Sequence, residues 1–397
     1  MEYESFFYRV ARFFWWNFCR ILPINKKKIF LSSYYGNGYS DNLKYIANEL
    51  LKDDDFEIVW SCKGKKEAET LPEGIKPSYC GSFEWVYQLS TSAMWIDNCR
   101  KAFRFKKNTQ FYIQTYHGTG AGKKCEKDVE NKLSRGYVEM AIKDGRNTDL
   151  MISPDAVMTK HYKTSFWYDG PVYQIGFPRM DVLFKKDKTI IKERVCDFFN
   201  LSINSNFILY APTFRSDFSF KAYDVDFKAV LTVCKSRFGK EFIMLIHLHP
   251  NVANSFSKLK YGNNVLNATP YPDMQELLAV SDILIGDYSS VNHEFSVTKK
   301  PVFLFATDID EYKKDRDFYL PLDQLPFPLA KNNDELLKNI INFDYENYLR
   351  NLSIYHKKLG VVFNRHSAID CATIIRKYFE LGNDKEKFFK EFEGVFI

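Results

Sequence analysis

The sequence predicts an α/β protein built from two doubly wound, mostly parallel sheets that face each other. Three observations lead there. Short apolar runs alternate with helical stretches along nearly the whole chain, the pattern of parallel strands joined by covering helices. The alternation breaks only near residues 181–206, which divides the chain in two. The 397 residues, 45% hydrophobic, are too many for one core and suit two domains of ordinary size.

The first element stands apart from this pattern. "FFYRVARFFWWNFCRILP" (6–23) is dense in aromatics but broken by Arg9, Arg12 and Arg20, which argues against spanning a bilayer. It has no small-residue cleavage site after a clean apolar core, which argues against a signal peptide. On helical spacing Tyr3, Phe7, Val10, Phe14 and Ile21 share a face that Phe6, Phe13 and Phe18 widen, and "NKKK" (25–28) follows. A helix lying in the headgroup region of an anionic membrane has this form, and so does a helix packed on the protein's own core. Residues 1–27 are therefore set apart as an amphipathic, membrane-associating helix.

The strands expected next are in "KIFLSSYYGNGYSDN" (28–42), "FEIVWSCKG" (56–64), "AMWIDNC" (93–99), "QFYIQTYHGTG" (110–120), "DLMISPD" (149–155) and "VYQIGFPRMD" (172–181), giving a first Rossmann-like domain over 28–181. After a helical linker, "FILYAPTFRSD" (207–217), "EFIMLIHLHPN" (241–251), "DILIGDYSS" (282–290) and "PVFLFATD" (301–308) give a second over 182–397, with its last helix free to cross back. Ligands of open parallel sheets sit at the carboxyl ends of the strands. His117, Arg215, His249, Asp287, Ser289, Ser290 and Asp308 all fall at such ends. Two facing sheets would bring them to one crevice, the arrangement of the GT-B glycosyltransferase fold.

"HGTGAGKK" (117–124) places a histidine where it can serve as a general base. Gly118 and Thr119 let backbone N–H groups approach an anion, and Lys123 and Lys124 add positive charge. The competing reading is a turn with an incidental histidine; the spacing is not that of a P-loop. In "DYSSVNHEF" (287–295), Ser289 and Ser290 can cap a helix or offer hydroxyls to a diphosphate, and Glu294 lies one turn inside. Thr213 and Arg215 follow a strand, where arginine suits phosphate, and a salt bridge is the alternative. His249, at the mouth of "HLHPN", suits a phosphate donor role better than metal ligation, since no third ligand has matching spacing. "DVD" (224–226) and "DID" (308–310) match a metal-binding tripeptide without supporting context, so neither a metal nor a cofactor is expected.

Composition excludes other classes. The net charge of +6 is spread along the chain, so no nucleic-acid stripe is indicated. Eight scattered cysteines without C-x-x-C spacing fit free thiols in a reducing cytosol.

Taken together and in order, "YHGTG", "IGFPRMDVL", "YAPTFRSD", "LHPN" and "DILIGDYSSVNHEFSVTKKPVFLFATDIDEY" resemble the CDP-glycerol glycerophosphotransferase family, the enzymes of teichoic-acid priming and polymerisation. These motifs run from about residue 116 to 312, roughly half the chain. The resemblance implies two facing Rossmann-like domains, a peripheral location on the cytoplasmic membrane face, and transfer of a polyol phosphate from CDP-glycerol or another CDP-polyol. The acceptor would be a hydroxyl of a lipid-linked or oligosaccharide acceptor, with CMP released. By position His117 looks like the family's proposed base, His249 like its phosphate-binding histidine, and Asp287, Ser289 and Ser290 like its D-Y-S-S. The expected catalytic pair is His117 and Asp287, with Thr213, Arg215, His249, Ser289, Ser290 and Glu294 on the donor. Three positions depart from the family pattern: Gly120 stands where proline is usual, Gly286 where serine or threonine is, and His247 where lysine or arginine is. Two rivals are a glycosyltransferase of the same fold using a nucleotide sugar and a non-catalytic surface-glycan binding protein.

Overall fold

The computed structural model describes residues 6–53, 55–101, 105–119, 122–213, 215, 223–248, 259, 262, 264–309, 311–312 and 317–397. Seven parallel strands form the first sheet: β1 Asn25–Ser32, β2 Glu57–Cys62, β3 Ile75–Tyr79, β4 Ser92–Asp97, β5 Phe111–Gln114, β6 Leu150–Ser153 and β7 Val172–Gln174. Their order is β3-β2-β1-β4-β5-β6-β7. Six parallel strands form the second: β8 Asn206–Ala211, β9 Phe242–Ile246, β10 Val265–Asn267, β11 Ile283–Gly286, β12 Val302–Phe305 and β13 Leu329–Ala330, in the order β10-β9-β8-β11-β12-β13. Each order runs outward from a central pair and reverses there, between β1 and β4 and between β8 and β11. Such switch points open a crevice at the carboxyl ends of the strands. The central strands β4, β8 and β11, and β1 from Lys28 on, are buried because helices cover them, so they read as largely apolar runs.

The core divides at β7. Ile175 packs with β1–β6, whereas Phe177, Met180, Val182 and Leu183 pack with the second sheet. The chain returns at its end: Ile374, Ile375 and Tyr378 of helix Ser367–Glu380, and Phe388 of helix Lys385–Glu391, lie in the first domain's core. The Asp181 carboxylate accepts the Ser367 and Ala368 N–H groups at 3.0 and 2.9 Å, fixing where this return begins.

Helix Phe6–Ile21 has two different faces. Trp16 and Cys19 are buried among Phe30, Val59, Val86 and Trp95, and Trp15 donates to the Phe83 carbonyl at 2.8 Å. Val10, Phe13, Phe14, Phe18 and Ile21 are exposed, Phe14 by 66% and Ile21 by 79%. One side of this helix thus packs on the protein's own core, and the other carries exposed apolar side chains. Lys28 departs from the expected basic run: it is buried, with Nζ donating to Gln88 and Thr91, because β1 carries it under helix Phe83–Thr91.

Candidate active site

The two switch points face each other, and His117 stands at the mouth of the first. It lies three residues past β5, where Tyr116 takes a left-handed backbone (φ 53°). Tyr34 and Tyr35, in the loop after β1, and Asp41, the first residue of helix Asp41–Leu50, are also left-handed (φ 42°, 59° and 63°). Four such non-glycine residues cost of order 1–3 kcal/mol each, and strain of this kind gathers where geometry is over-determined. Here the hydrogen bonds that hold them are evident. Asn98 Oδ1 accepts the Tyr34 N–H at 2.9 Å, and Asn42 Nδ2 donates to the Tyr116 carbonyl at 3.2 Å. The Tyr34 hydroxyl donates to Asp41 at 2.6 Å.

The His117 ring lies against Tyr116 and meets Tyr34 edge-on, with centroids 4.8 and 5.4 Å away. Its Nδ1 is 2.7 Å from the Asn98 carbonyl oxygen. A carbonyl only accepts, so Nδ1 carries the proton and Nε2 has the free lone pair. Burial lowers the imidazole below its ordinary value. The bond to Asn98 and the carboxylates of Asp41 and Glu294 oppose the shift, and Arg179 adds to it. The site thus holds a neutral imidazole in the tautomer that accepts a proton at Nε2.

Arg179, in the turn after β7, is 3% exposed and joins the two domains. It donates to both oxygens of Glu294 (3.1 and 2.6 Å), to Asp41 (2.6 Å) and to the His117 carbonyl (2.8 Å). Gln275 also donates to Glu294 at 2.9 Å. Burial alone would raise the Asp41 carboxyl; Arg179, the Tyr34 hydroxyl and the Asn42 N–H outweigh it and hold it below its usual value.

At the second switch point Asp287 is 2% exposed and its carboxylate is surrounded. It accepts the Thr213 N–H at 3.0 Å and the Thr213 hydroxyl at 2.9 Å, and pairs with Arg215 at 2.8 Å. Arg215 also binds Asp308 through Nε (2.5 Å) and Nη2 (3.1 Å), with Tyr288 and Tyr312 against its guanidinium. Ser289 and Ser290 are half-buried at the start of helix Val291–Ser296, and the Ser290 side chain caps no backbone N–H. Gly286 leaves no room for a side chain: a Cβ would lie 2.0 Å from Asn292 Oδ1.

The loop after His117 meets the second domain. Lys123 forms a β-bridge with Phe318, and Lys124 N–H donates to the Asp317 carbonyl at 2.8 Å, with its ammonium 3.9 Å from that carboxylate. Thr119 Oγ1 is buried without a hydrogen-bond partner among the described residues, and a Cβ at Gly118 would lie 2.9 Å from the Tyr116 ring. His249 lies outside the described residues, as do Gly120 and Asp310. Asp226 caps helix Phe227–Phe238, which accounts for "DVD". The sequence does not single out Tyr34 or Asn98, whose only signal is their place just past a strand, or Asp41, which opens the next helix, and it shows Arg179 only as part of the run "VYQIGFPRMD" that closes the first domain.

Comparison with known proteins identifies the family. A family model described as CDP-Glycerol:Poly(glycerophosphate) glycerophosphotransferase matches residues 15–365. The teichoic acid poly(glycerol phosphate) polymerase of Staphylococcus epidermidis is 30% identical over 361 residues, covering 87% of this chain and 49% of its own. This chain thus spans about half the length of that polymerase, and 46% of its Bacillus subtilis counterpart. The teichoic acid glycerol-phosphate transferase of Staphylococcus aureus is 26% identical, with 84% of this chain and 89% of its own covered. Among solved structures, a histidine-to-asparagine variant of the wall teichoic acid polymerase TagF soaked with CDPG gives a TM-score of 0.82. It is 26% identical and covers 95% of each chain.

Proposed function

The chain belongs to the CDP-glycerol:poly(glycerophosphate) glycerophosphotransferase family, and from that premise we propose that it transfers glycerol phosphate from CDP-glycerol to an acceptor hydroxyl during cell-wall polymer synthesis. The acceptor oxygen attacks the glycerol-bearing phosphorus in line. The bond from that phosphorus to the bridging oxygen breaks, CMP leaves, and the hydroxyl proton passes to His117 Nε2. The observation that carries this reading is the 2.7 Å bond from His117 Nδ1–H to the Asn98 carbonyl, which leaves Nε2 to act as base. General base catalysis contributes about 10²–10⁴-fold, and much of the remainder comes from holding the phosphoryl group and its charge in place.

On the donor side, Ser289, Ser290 and His249 are assigned to the diphosphate. Asp287, Thr213 and Arg215 brace the strand ends beneath it, since their polar atoms already bind one another. Lys123, Lys124, Gly118 and Thr119 line the acceptor side, and Glu294 acts through Arg179. Among the described residues no helix is long and apolar enough to cross a membrane. The exposed arc of helix Phe6–Ile21 is assigned to the cytoplasmic membrane face, where a lipid-linked acceptor would lie.

CMP release should be measured with CDP-glycerol, CDP-ribitol and UDP-sugars, with and without a lipid-linked saccharide acceptor. Acceptor-dependent release of CMP from CDP-glycerol, lost in His117→Gln, is expected. Turnover of a UDP-sugar and of no CDP-polyol would overturn the reading.

A further inference from the structure

We propose that Arg179 is a positioning residue for His117, and that through Glu294 it makes the base's placement depend on docking of the second domain. This rests on His117 being the base. Among the residues described, Arg179 reaches three parts of the site with one guanidinium: the loop after β1 at Asp41, the loop after β5 at His117, and helix Val291–Ser296 of the second domain at Glu294. A single nitrogen, Nη2, serves the last two, 2.8 Å from the His117 carbonyl and 2.6 Å from Glu294 Oε1.

That geometry links two movements. The His117 backbone is fixed from one side by Arg179, and its ring from the other by Asn98. The Arg179 backbone N–H also donates to Asn42 Oδ1 at 3.2 Å, and Asn42 Nδ2 holds the Tyr116 carbonyl, so the same arginine supports the left-handed turn that aims the ring. If the helix carrying Glu294 moves away, the guanidinium loses its bidentate partner and swings toward Asp41, and the His117 carbonyl loses its donor. Lysine cannot substitute, because a point charge does not span three acceptors in one plane. A misplacement of about 1 Å in a reacting group costs roughly 10²-fold in rate, which sets the scale of the effect.

The charges around the ring give a readout that loss of packing alone would not move. The groups facing His117 are Asp41, Glu294 and Arg179, with Cys99, Tyr34 and Tyr116. Asp41 and Glu294 favour the imidazolium and Arg179 disfavours it. Removing the arginine charge must therefore raise the imidazole's proton affinity, and removing the Glu294 charge must lower it.

The test uses the full chain with CDP-glycerol and a lipid-linked acceptor analogue. Arg179→Lys and Arg179→Gln should lower kcat by about 100-fold while KM for CDP-glycerol changes little. Added guanidinium should recover part of the rate in Arg179→Ala but not in Arg179→Lys. The His117 ring titration, followed by NMR without substrate, should move to higher pH in Arg179→Gln and to lower pH in Glu294→Gln. Should the arginine variants not fold, Glu294→Gln still carries the test, through its lower kcat and its downward shift. If His117→Gln keeps wild-type turnover, the base assignment fails rather than the link. If His117→Gln is inactive while the Arg179 and Glu294 variants keep wild-type kcat and an unmoved titration, the link is overturned. A fall in kcat that merely tracks lost melting temperature, with no opposite shifts, overturns it as well.

Discussion

Asn98 and Asp287 stand at matching positions in the two domains. Each lies one residue past the strand that flanks its switch point, β4 or β11, and accepts the N–H of the residue two past the neighbouring strand, Tyr34 or Thr213. In the first domain an amide performs this task and its backbone carbonyl orients His117. In the second a carboxylate performs it and also holds Arg215. On this parallel we propose Asp287 as a clasp, rather than as the catalytic partner of His117 that the resemblance implies.

From this, Asp287→Asn is expected to keep turnover within about tenfold of wild type, since an amide oxygen can still accept from Thr213. Its melting temperature should fall, because Arg215 loses one of its two carboxylates. Asp287→Ala removes both functions and should cost about 3–5 kcal/mol of stability. Thermal melting and CMP release on the same preparations check this. An asparagine variant that melts like wild type but is inactive would return Asp287 to the chemistry.

The pH profile follows from His117. In its proposed role as base it must be neutral, so kcat/KM is expected to fall as pH drops through its pKa. Burial lowers that pKa below the ordinary imidazole value. The acid limb should therefore lie below about 6.5, the value of a free imidazole, and activity should persist at pH values where a solvated histidine is mostly protonated. An acid limb above that value would mean that Asp41 and Glu294 outweigh burial.

Gly286, a departure from the family pattern, is explained by Asn292. The asparagine Nδ2 donates to the Asp287 carbonyl at 2.9 Å and its Oδ1 occupies the space above Gly286. Gly286→Ser alone should destabilise by about 1–3 kcal/mol through overpacking. In combination with Asn292→Ala the loss should shrink, with a favourable coupling of about 1 kcal/mol in a double-mutant cycle. Additive losses would show that the two side chains do not compete for the same space.

Ten of the thirteen strands among the described residues are visible as apolar runs in the sequence, and the three that are not, β3, β10 and β13, are all sheet edges. An edge strand is partly solvated and short, so its pattern is weak: "IKPSY" contains a proline, and β13 is two residues long. Strand ends gave His117, Thr213 and Asp287 because a switch point collects polar residues. Asp41 and Asn98 escaped notice because their importance comes from a left-handed backbone and a tautomer, neither of which composition or spacing encodes. Arg179 was visible in "FPRMD", but its reach to Glu294 across 115 positions is a property of domain docking.

At the aromatic helix, apolar contact is expected to outweigh charge in holding the protein to a membrane surface. Lys28 is buried and Lys27 pairs with Asp55 at 3.0 Å, which leaves Arg20 and Lys26 as exposed cations beside the arc. Juxtamembrane basic residues contribute about 1 kcal/mol each near an anionic surface, whereas a fully buried Phe or Ile side chain contributes about 1.5–3 kcal/mol. Phe14, Phe18 and Ile21 should therefore dominate binding, and salt should release the protein only in part. Wild type is expected to sediment with phosphatidylglycerol vesicles. Phe14→Glu/Phe18→Glu/Ile21→Glu should stay in the supernatant, melt as wild type does, and keep its rate on a soluble acceptor while losing efficiency on a lipid-linked one. Trp16→Glu should behave in the opposite way and melt early, because Trp16 is packed against Trp85 and Phe105. Deleting the whole helix would confuse the two faces, since it uncovers the core as well as removing the arc. If the triple variant still binds vesicles as wild type does, the arc does not face the membrane, and another surface must hold the enzyme to its acceptor.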